Sequence, residues 1–237
     1  MLAGVALLAG CGGTAAPPPR ATPAPAATAV AAPEPRALRF RASDGHRLRG
    51  ELTPAARPHA PAAVLVHGLY GEPRQWDELV RDLHRAGFAT LAYASRDDDE
   101  VDESVLARDV AGAVRALRDR PEADPDRIVL AGASVGGAAV AYALGTRPGL
   151  PVRGGVGFSA VEGRHVVARA RRGVFRPHDL LLISDQREAG TARALRADAG
   201  GEGVTTYAVE TTGHGTALLV DAGVRARTVA WFERLTG

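Results

Sequence analysis

The chain has 237 residues, of which 46% are hydrophobic and 24% charged, and its formal net charge is +2 at neutral pH. This is the balance of an ordinary globular protein, and the length suffices for one domain with a sizeable core. So small a net charge gives no reason to expect a nucleic-acid partner, and a single cysteine excludes an intramolecular disulfide.

The first residues of the chain resemble a bacterial lipoprotein signal. Residues 2–9 are apolar but too few to span a bilayer, and they lead into Leu-Ala-Gly-Cys at residues 8–11, which resembles a lipobox. The resemblance implies cleavage before Cys11 and lipidation of its thiol, although the usual basic n-region is missing. We therefore expect a bacterial cell-envelope protein that faces outside the cytoplasm and is held to the membrane by an N-terminal lipid anchor. The alternative is a cytosolic chain with an apolar N-terminus.

The composition of the next segment predicts a tether. Residues 12–35 are almost wholly Ala, Pro, Thr and Gly, and such a segment cannot bury a hydrophobic core. The expected organisation is a signal segment over residues 1–11, a disordered tether over residues 12–36 and one folded domain over residues 37–237.

The folded part begins with a predicted β-hairpin and continues with alternating strands and helices. Strands at residues 38–41 and 47–52 flank a turn with Asp-Gly at its centre. Further strands are predicted at residues 63–66, 89–94, 128–131, 154–158, 180–184 and 204–209, and helices near residues 73–86, 104–120, 138–144 and 222–235. This alternation predicts an α/β fold whose mostly parallel sheet carries helices on both faces. Ligands bind such folds at the carboxyl ends of the strands.

A dense acidic run, residues 97–103, precedes the second of these helices. Acids at this position complement the helix dipole, whereas a calcium loop needs alternating oxygen ligands and a glycine, both of which the run lacks. The sequence contains neither a clustered Cys/His set nor a phosphate-cradling loop. We therefore expect no metal and no cofactor.

The strongest local signal is Gly-Ala-Ser-Val-Gly at residues 132–136, between a predicted strand and an Ala-rich helix. In this context G-x-S-x-G is typical of a nucleophile elbow, a strained turn that exposes the hydroxyl of its serine, here Ser134, above the strand ends. The alternative is a glycine-rich turn that holds a serine by chance.

Two further loops favour the catalytic interpretation. The strand at residues 63–66 ends in a His67-Gly68 turn, and His214 lies on a glycine-flanked loop after the strand at residues 204–209. An oxyanion-type turn, then a serine and then a histidine is the chain order expected of an α/β-hydrolase.

Over residues 38–235 the sequence resembles the bacterial α/β-hydrolases of the dienelactone-hydrolase and acyl-esterase kind, in particular their small lipoprotein members. The motifs that carry the resemblance are H-G-L-Y-G at residues 67–71, G-A-S-V-G-G at 132–137 and G-H-G-T-A-L-L at 213–219. The resemblance implies an α/β-hydrolase fold without a large cap domain, because the segment where many relatives carry a lid, residues 159–179, is short here. The sequence departs from the family at Ser95-Arg96-Asp97, where relatives tend to have a D-x-R-G-x-G loop, and this leaves the rim of the pocket undefined.

The short segment is also basic, since it contains Arg164, His165, Arg169, Arg171, Arg172, Arg176 and His178. A solvated amphipathic helix would account for these charges. The functional alternative is attraction for an anionic substrate or an anionic membrane surface.

The resemblance also implies roles for individual residues. Ser134 would be the nucleophile and His214, which follows the last core strand, the base that takes its proton. The carboxylate of the triad falls on Glu188, after the strand at residues 180–184, with Asp185 and Glu162 as alternatives.

The backbone N–H groups of Val135 and Leu69 are the expected oxyanion donors, and Tyr70 is expected to line the substrate pocket. The leading hypothesis is therefore a serine hydrolase that cleaves an ester or other acyl bond of a small molecule through an acyl-enzyme. One alternative is a non-catalytic envelope lipoprotein that binds a ligand or partner on a hydrolase fold. Another is acyl transfer to an acceptor other than water, which would use the same residues.

Overall fold

The computed structural model describes residues 34–96, 102–147 and 149–237, and within these ranges eight strands form one sheet. In chain order the strands are β1 (Arg36–Arg41), β2 (Arg47–Thr53), β3 (Ala60–Val66), β4 (Ala89–Ala94), β5 (Ala123–Ala133), β6 (Gly155–Phe158), β7 (Leu180–Asp185) and β8 (Val204–Val209). Their order across the sheet is β1-β2-β4-β3-β5-β6-β7-β8. β2 pairs antiparallel with β1 and with β4, and the remaining pairs are parallel. The predicted mostly parallel sheet is confirmed.

Six α-helices occur in the same ranges: α1 (Asp77–Arg85), α2 (Glu103–Arg118), α3 (Val135–Thr146), α4 (Arg164–Arg171), α5 (Ala189–Asp198) and α6 (Ala222–Thr236). Two short 3₁₀ helices cover Pro73–Trp76 and Gly215–Val220. Among the described residues, no helix combines the length and the apolar character that crossing a membrane requires.

The two faces of the sheet carry separate hydrophobic cores because neighbouring residues of a strand point to opposite faces. In β3, Val64 and Val66 belong to the core that includes residues of α2 and α3. Leu65, between them, belongs to the core that includes residues of α1 and α6. Burial on both faces explains why the central strands are apolar without interruption. The predicted placement of helices on both faces is thereby confirmed.

The connection between β6 and β7 contains only the eight-residue helix α4, so the described chain has no large cap domain, as predicted. α5 and the 3₁₀ helix at Gly215–Val220 have no counterpart among the predicted elements. α5 is hard to detect because its buried residues are Ala189, Ala192 and Leu195, of which only Leu195 is large.

Some predictions concern residues outside the described ranges. Cys11, the signal segment and the tether up to residue 33 lie there, as do residues 97–101 of the acidic run. The next residue of that run, Asp102, caps α2, since its side chain accepts hydrogen bonds from the backbone N–H groups of Ser104 and Val105. An acid at this position stabilises the helix both by capping and through the dipole.

Candidate active site

Ser134 lies on the turn between β5 and α3 in a strained backbone conformation. Its φ is 53° and its ψ is −119°, a region that residues with a side chain rarely adopt. The strain is held in place because the Ser134 N–H donates a 2.9 Å hydrogen bond to the carbonyl of Phe158, on the neighbouring strand β6. Such a turn lifts the serine side chain away from the strand that precedes it.

The glycines on either side of Ser134 are required by close backbone packing. A Cβ at Gly132 would overlap the carbonyl oxygen of Gly136, and a Cβ at Gly136 would lie 2.5 Å from the carbonyl oxygen of His67. Neither neighbour is a flexible side chain that could move aside. The G-x-S-x-G pattern is therefore the sequence consequence of a tight turn packed against the loop after β3.

The loops that follow β3 and β8 both reach Ser134. A Cβ at Gly68 would lie 3.1 Å from the Cβ of Ser134, and a Cβ at Gly215 would lie 3.8 Å from its backbone nitrogen. Gly215 directly follows His214. The three motifs predicted to form the site, which are far apart in sequence, thus meet at the carboxyl ends of the parallel strands.

His214 and Glu188 form a direct contact. Nδ1 of His214 lies 2.7 Å from Oε1 of Glu188, which follows β7. An ionised carboxylate can only accept, so Nδ1 carries the proton, and Nε2 of the neutral ring is left as an acceptor. The other carboxylate oxygen of Glu188 is buried and has no hydrogen-bond partner in the described part of the chain. The Glu188 carboxylate is therefore directed at the imidazole.

Asp185, the first alternative acid, has a different set of partners. Its carboxylate accepts hydrogen bonds from the guanidinium of Arg187, from the N–H of Glu188 at 3.0 Å and from the N–H of Gly213 at 3.4 Å. The hydrogen bond from Arg187 lowers the pKa of Asp185. Asp185 thus ties the loop that carries Glu188 to the loop that carries His214. Sequence reasoning missed this role because it depends on the pairing of β7 with β8.

Glu162, the remaining alternative acid, is exposed in the loop that leads into α4. The same loop approaches the elbow at Val161, whose N–H lies 3.4 Å from the carbonyl oxygen of Ser134. The structure therefore brings one of the three candidate acids, Glu188, into contact with the imidazole.

His67 supports the loop after β3. Its side chain is buried, Nδ1 lies 2.6 Å from the carbonyl oxygen of Gly68, and Nε2 accepts a 3.0 Å hydrogen bond from the N–H of Ser95. A carbonyl partner requires the proton on Nδ1, and an N–H partner requires the lone pair on Nε2. The two contacts together require the imidazole tautomer with its proton on Nδ1. Through them, His67 joins the loops that follow β3 and β4.

The residues predicted to bind the oxyanion and the substrate border one space. Leu69, Tyr70 and Val135 line the same small cavity, together with Gly68 and Ser95. Tyr70 has a positive φ of 54°, and the residue is 79% exposed. The loop therefore presents apolar side chains to solvent beside the elbow.

The chain segment that departs from the expected D-x-R-G-x-G loop begins in a buried ion network. The Arg96 guanidinium contacts the carboxylates of Asp109, which is fully buried, and Asp44, which lies in the β1–β2 turn. Hydrogen bonding to Arg96 lowers the pKa of Asp44 to about 2, whereas burial raises the pKa of Asp109. Arg96 thereby joins the end of β4 to the β-hairpin.

The basic helix α4 is held by the acidic residues at the start of α2. Asp102 contacts Arg164 at 2.6 Å and Nε2 of His165 at 2.9 Å, and Glu103 accepts hydrogen bonds from the N–H groups at the start of α4. Burial opposes ionisation of Asp102, but hydrogen bonds from Ser104 and Arg164 outweigh it and hold its pKa well below the usual range. At least two of the basic residues in this stretch, Arg164 and His165, therefore serve the packing of α4.

In the ranges that the structure describes, no group of three His, Cys, Asp or Glu side chains is placed to hold a metal ion. The groups that the loops place around Ser134 are serine, histidine and carboxylate side chains and backbone N–H groups.

Comparison with solved structures identifies the architecture. No protein-family model matches the sequence, and no curated protein matches it significantly. An esterase from Pyrococcus furiosus superposes with a TM-score of 0.71 over 86% of this chain and 93% of its own, at 14% identity. A dienelactone hydrolase from Anabaena variabilis superposes with a TM-score of 0.64 over 84% of this chain and 98% of its own, at 21% identity. EstE1, a thermostable carboxylesterase cloned from a metagenomic library, superposes with a TM-score of 0.66 over 86% of this chain and 89% of its own, at 17% identity.

The chain has the α/β-hydrolase fold. The predicted fold is confirmed over the whole described domain, since these three structures are matched over most of their own lengths. In this α/β-hydrolase fold, Ser134 follows β5, Glu188 follows β7 and His214 follows β8. The serine–glutamate–histidine order along this chain matches the order in which catalytic α/β-hydrolases carry their triads.

Proposed function

We propose that the protein is a serine hydrolase that cleaves an ester or another acyl bond of a small-molecule substrate through a covalent acyl-enzyme. The observation that carries the proposal is the 2.7 Å contact between Nδ1 of His214 and Oε1 of Glu188, since the loop that carries His214 meets the strained turn at Ser134. A histidine oriented by a carboxylate beside a partly exposed serine is the arrangement that activates a hydroxyl for attack.

The chemistry begins at the hydroxyl of Ser134. Its oxygen attacks the substrate carbonyl carbon while its proton passes to Nε2 of His214, and Glu188 stabilises the imidazolium that forms. The negative charge that develops on the carbonyl oxygen is bound by the N–H groups of Leu69 and Val135, each contributing about 3 kcal/mol. The tetrahedral intermediate then expels the alcohol, which takes the proton from His214, and leaves the acyl group on Ser134.

Deacylation uses the same groups with water in place of the serine. His214 takes a proton from water as the water oxygen attacks the acyl carbon, and the second tetrahedral intermediate releases the acid and returns the proton to Ser134. Acyl transfer to another acceptor would differ only in this step.

The surroundings of the elbow suit an acyl substrate. Leu69, Tyr70 and Val161 are among the exposed large hydrophobic residues of the chain, and all three lie on loops that approach Ser134. Exposed apolar side chains grouped at a polar site commonly mark the contact area for an apolar ligand. The similar solved structures include an esterase, a dienelactone hydrolase and a carboxylesterase. Their activities support acyl chemistry as the first to test.

The test compares Ser134→Ala with Ser159→Ala in labelling by a fluorophosphonate probe and in turnover of short-chain p-nitrophenyl esters. Ser159 is a matched control because it also follows a strand of the sheet and has a positive φ of 46°. We expect labelling and turnover to vanish in Ser134→Ala alone. A wild-type protein that is neither labelled nor active would contradict the proposal and favour a ligand-binding protein. Alcoholysis products formed with an added alcohol would identify acyl transfer.

We also propose that the protein is lipid-anchored through Cys11 in the cell envelope. The support is the sequence around Cys11 and the Ala/Pro-rich composition of the segment after it. The test is metabolic labelling of the full chain with an alkyne-tagged fatty acid. We expect incorporation by the wild type and none by Cys11→Ala, and unlabelled wild type would contradict the anchor.

A further inference from the structure

β1 and β2 form an antiparallel ribbon at the edge of the sheet, and four arginines stand together on it. The register places Arg39 opposite Arg49 and Arg41 opposite Arg47. All four are exposed, while Leu38 and Leu48, which alternate with them, are buried. Since alternate residues of a strand share a face, the four side chains form a two-by-two array on the outer face. We call this array the arginine ribbon.

The charges of the arginine ribbon have little compensation from the protein. In the described ranges, Arg39, Arg47 and Arg49 form no ion pair, and Arg41 donates to the carbonyl of Gly45. The single carboxylate of the two strands, Glu51, lies opposite Ala37 on the same face as Arg49, and within the part of the chain that the structure describes it forms no ion pair with the four arginines. Like charges placed directly opposite on neighbouring strands are destabilising. The array therefore costs stability.

Protection of the sheet edge does not explain the array. Charged side chains on an edge strand discourage pairing with other molecules, and Arg39 and Arg41 on β1 could serve this purpose. Arg49, however, lies where β2 is paired on one side with β1 and on the other with β4, at Ala94. Its charge protects no edge, so edge protection leaves the placement of Arg49 opposite Arg39 unexplained, which favours a binding partner.

The basic surface continues around the edge of the sheet. A groove of about 400 Å³ runs between β1 and α2, and Arg39, Arg41, Arg115 and Arg120 line it, with Asp119 as the one acid. Arg115 also donates to the backbone carbonyl of Arg41. The cations of the ribbon and of the groove thus form one continuous basic surface.

We propose that the arginine ribbon docks on the surface of an anionic phospholipid bilayer. A two-stranded ribbon is an open surface that suits a planar array of phosphates, and guanidinium groups bind phosphate oxygens through pairs of parallel hydrogen bonds. Residues 1–33 join the fold immediately before β1, so an anchor at Cys11 would raise the local concentration of headgroups at this ribbon. The docking itself depends on neither the anchor nor catalysis.

Docking would also orient the candidate active site. Asp44, in the turn that joins β1 to β2, contacts Arg96 at the carboxyl end of β4. The turn of the ribbon and the loops around Ser134 therefore lie at the same edge of the sheet. A protein lying on its ribbon would hold that edge beside the membrane surface with its loops still open to solvent.

The experiment measures co-sedimentation of the full chain, carrying Cys11→Ser to prevent lipidation, with vesicles. The vesicles are phosphatidylcholine alone or phosphatidylcholine with about one-third phosphatidylglycerol. The readout is the partition coefficient for the vesicles with phosphatidylglycerol divided by the coefficient for phosphatidylcholine alone. Binding by the apolar residues 2–9 contributes to both coefficients and cancels in this ratio. Each arginine near an anionic surface changes the ratio about fivefold. We expect Arg39→Gln with Arg49→Gln to lower the ratio about 25-fold, and we expect salt to weaken wild-type binding.

The control is Arg171→Gln with Arg172→Gln, which removes the same charge from exposed positions at the end of α4. We expect it to change the ratio less than twofold, and we expect the ribbon variant to unfold at the same or a higher temperature than wild type because like-charge repulsion is relieved. Equal losses in both variants would show an unspecific effect of net charge and overturn the proposal. So would a wild type that ignores phosphatidylglycerol, or one that binds soluble polyphosphate through the ribbon but not vesicles.

Discussion

The backbone N–H of Glu188 donates a 3.0 Å hydrogen bond to the carboxylate of Asp185, so two acids three residues apart share one turn with different tasks. Asp185 is 2% exposed and organises the turn, while Glu188 projects to the imidazole of His214. Asp185, at the end of β7, thus acts on His214 through Glu188.

This division predicts that Asp185 is a positioning residue. In Asp185→Asn, the amide cannot pair with Arg187 as a carboxylate does and can present an N–H to the N–H groups of Glu188 and Gly213. We expect kcat to fall by about tenfold to a hundredfold with little change in KM, since a small misplacement of a reacting group has effects of this size. Steady-state ester hydrolysis measures it. Glu210→Gln, an exposed acid on the neighbouring loop, is the control, and an unchanged kcat in Asp185→Asn would refute the role.

Glu188→Gln should reduce kcat far more strongly. An amide can donate to Nδ1 of His214, which would place the ring proton on Nε2 and remove the acceptor that the Ser134 hydroxyl needs. We expect a loss of about 10³- to 10⁴-fold in kcat, as in triads that lose their acid.

The matched variant is Glu162→Gln, which changes an exposed acid on a loop beside the same site. It should retain wild-type activity. If Glu162→Gln were the inactive variant and Glu188→Gln the active one, the acid would be misassigned and His214 would adopt another orientation with substrate bound.

Substitutions of two glycines by alanine test the tight turn at Ser134 through their effects on thermal stability. Gly132→Ala adds a Cβ that overlaps the carbonyl oxygen of Gly136, so it should lower the melting temperature and abolish activity. Gly190→Ala, in the first turn of α5, adds its Cβ in open space without a positive φ and should stabilise the protein by about 0.5 kcal/mol. Thermal unfolding followed by circular dichroism measures both. A Gly132→Ala protein as stable as wild type would show that the turn can relax.

The sequence is sufficient to predict those features that depend on local pattern. Apolar runs mark the central strands, and the glycines around Ser134 and His214 mark the turns that must be tight. The α/β-hydrolase fold and the positions of these two residues follow from such signals. The order of catalytic groups along the chain then indicates which strand ends carry the site.

Features that depend on contacts between distant segments do not follow from local pattern. The role of Asp185 arises from a hydrogen bond to Gly213, 28 residues away, and the opposed arginines become visible only in the register of β1 and β2. The acidic and basic runs are each conspicuous in the sequence, but their contact joins Asp102 to Arg164 over 62 residues. Only the packing of α4 on the start of α2 brings these charges together.

The contact between Asp102 and Arg164 predicts how the stability of the protein depends on pH. The pKa of Asp102 is lowered in the folded protein by hydrogen bonds that outweigh its burial, and its unfolded value is about 3.9. A carboxyl with a depressed folded-state pKa contributes stability above its unfolded pKa and loses it as pH falls toward the folded pKa. We therefore expect Asp102→Asn to lower the melting temperature at pH 7, and to reduce the difference between the melting temperatures at pH 7 and at about pH 2.5.

The control is Glu202→Gln, which changes an exposed acid before β8 and should leave both melting temperatures unchanged. If Asp102→Asn lowered the melting temperature equally at both pH values, the negative charge of Asp102 would not be the source of the stability that this residue provides.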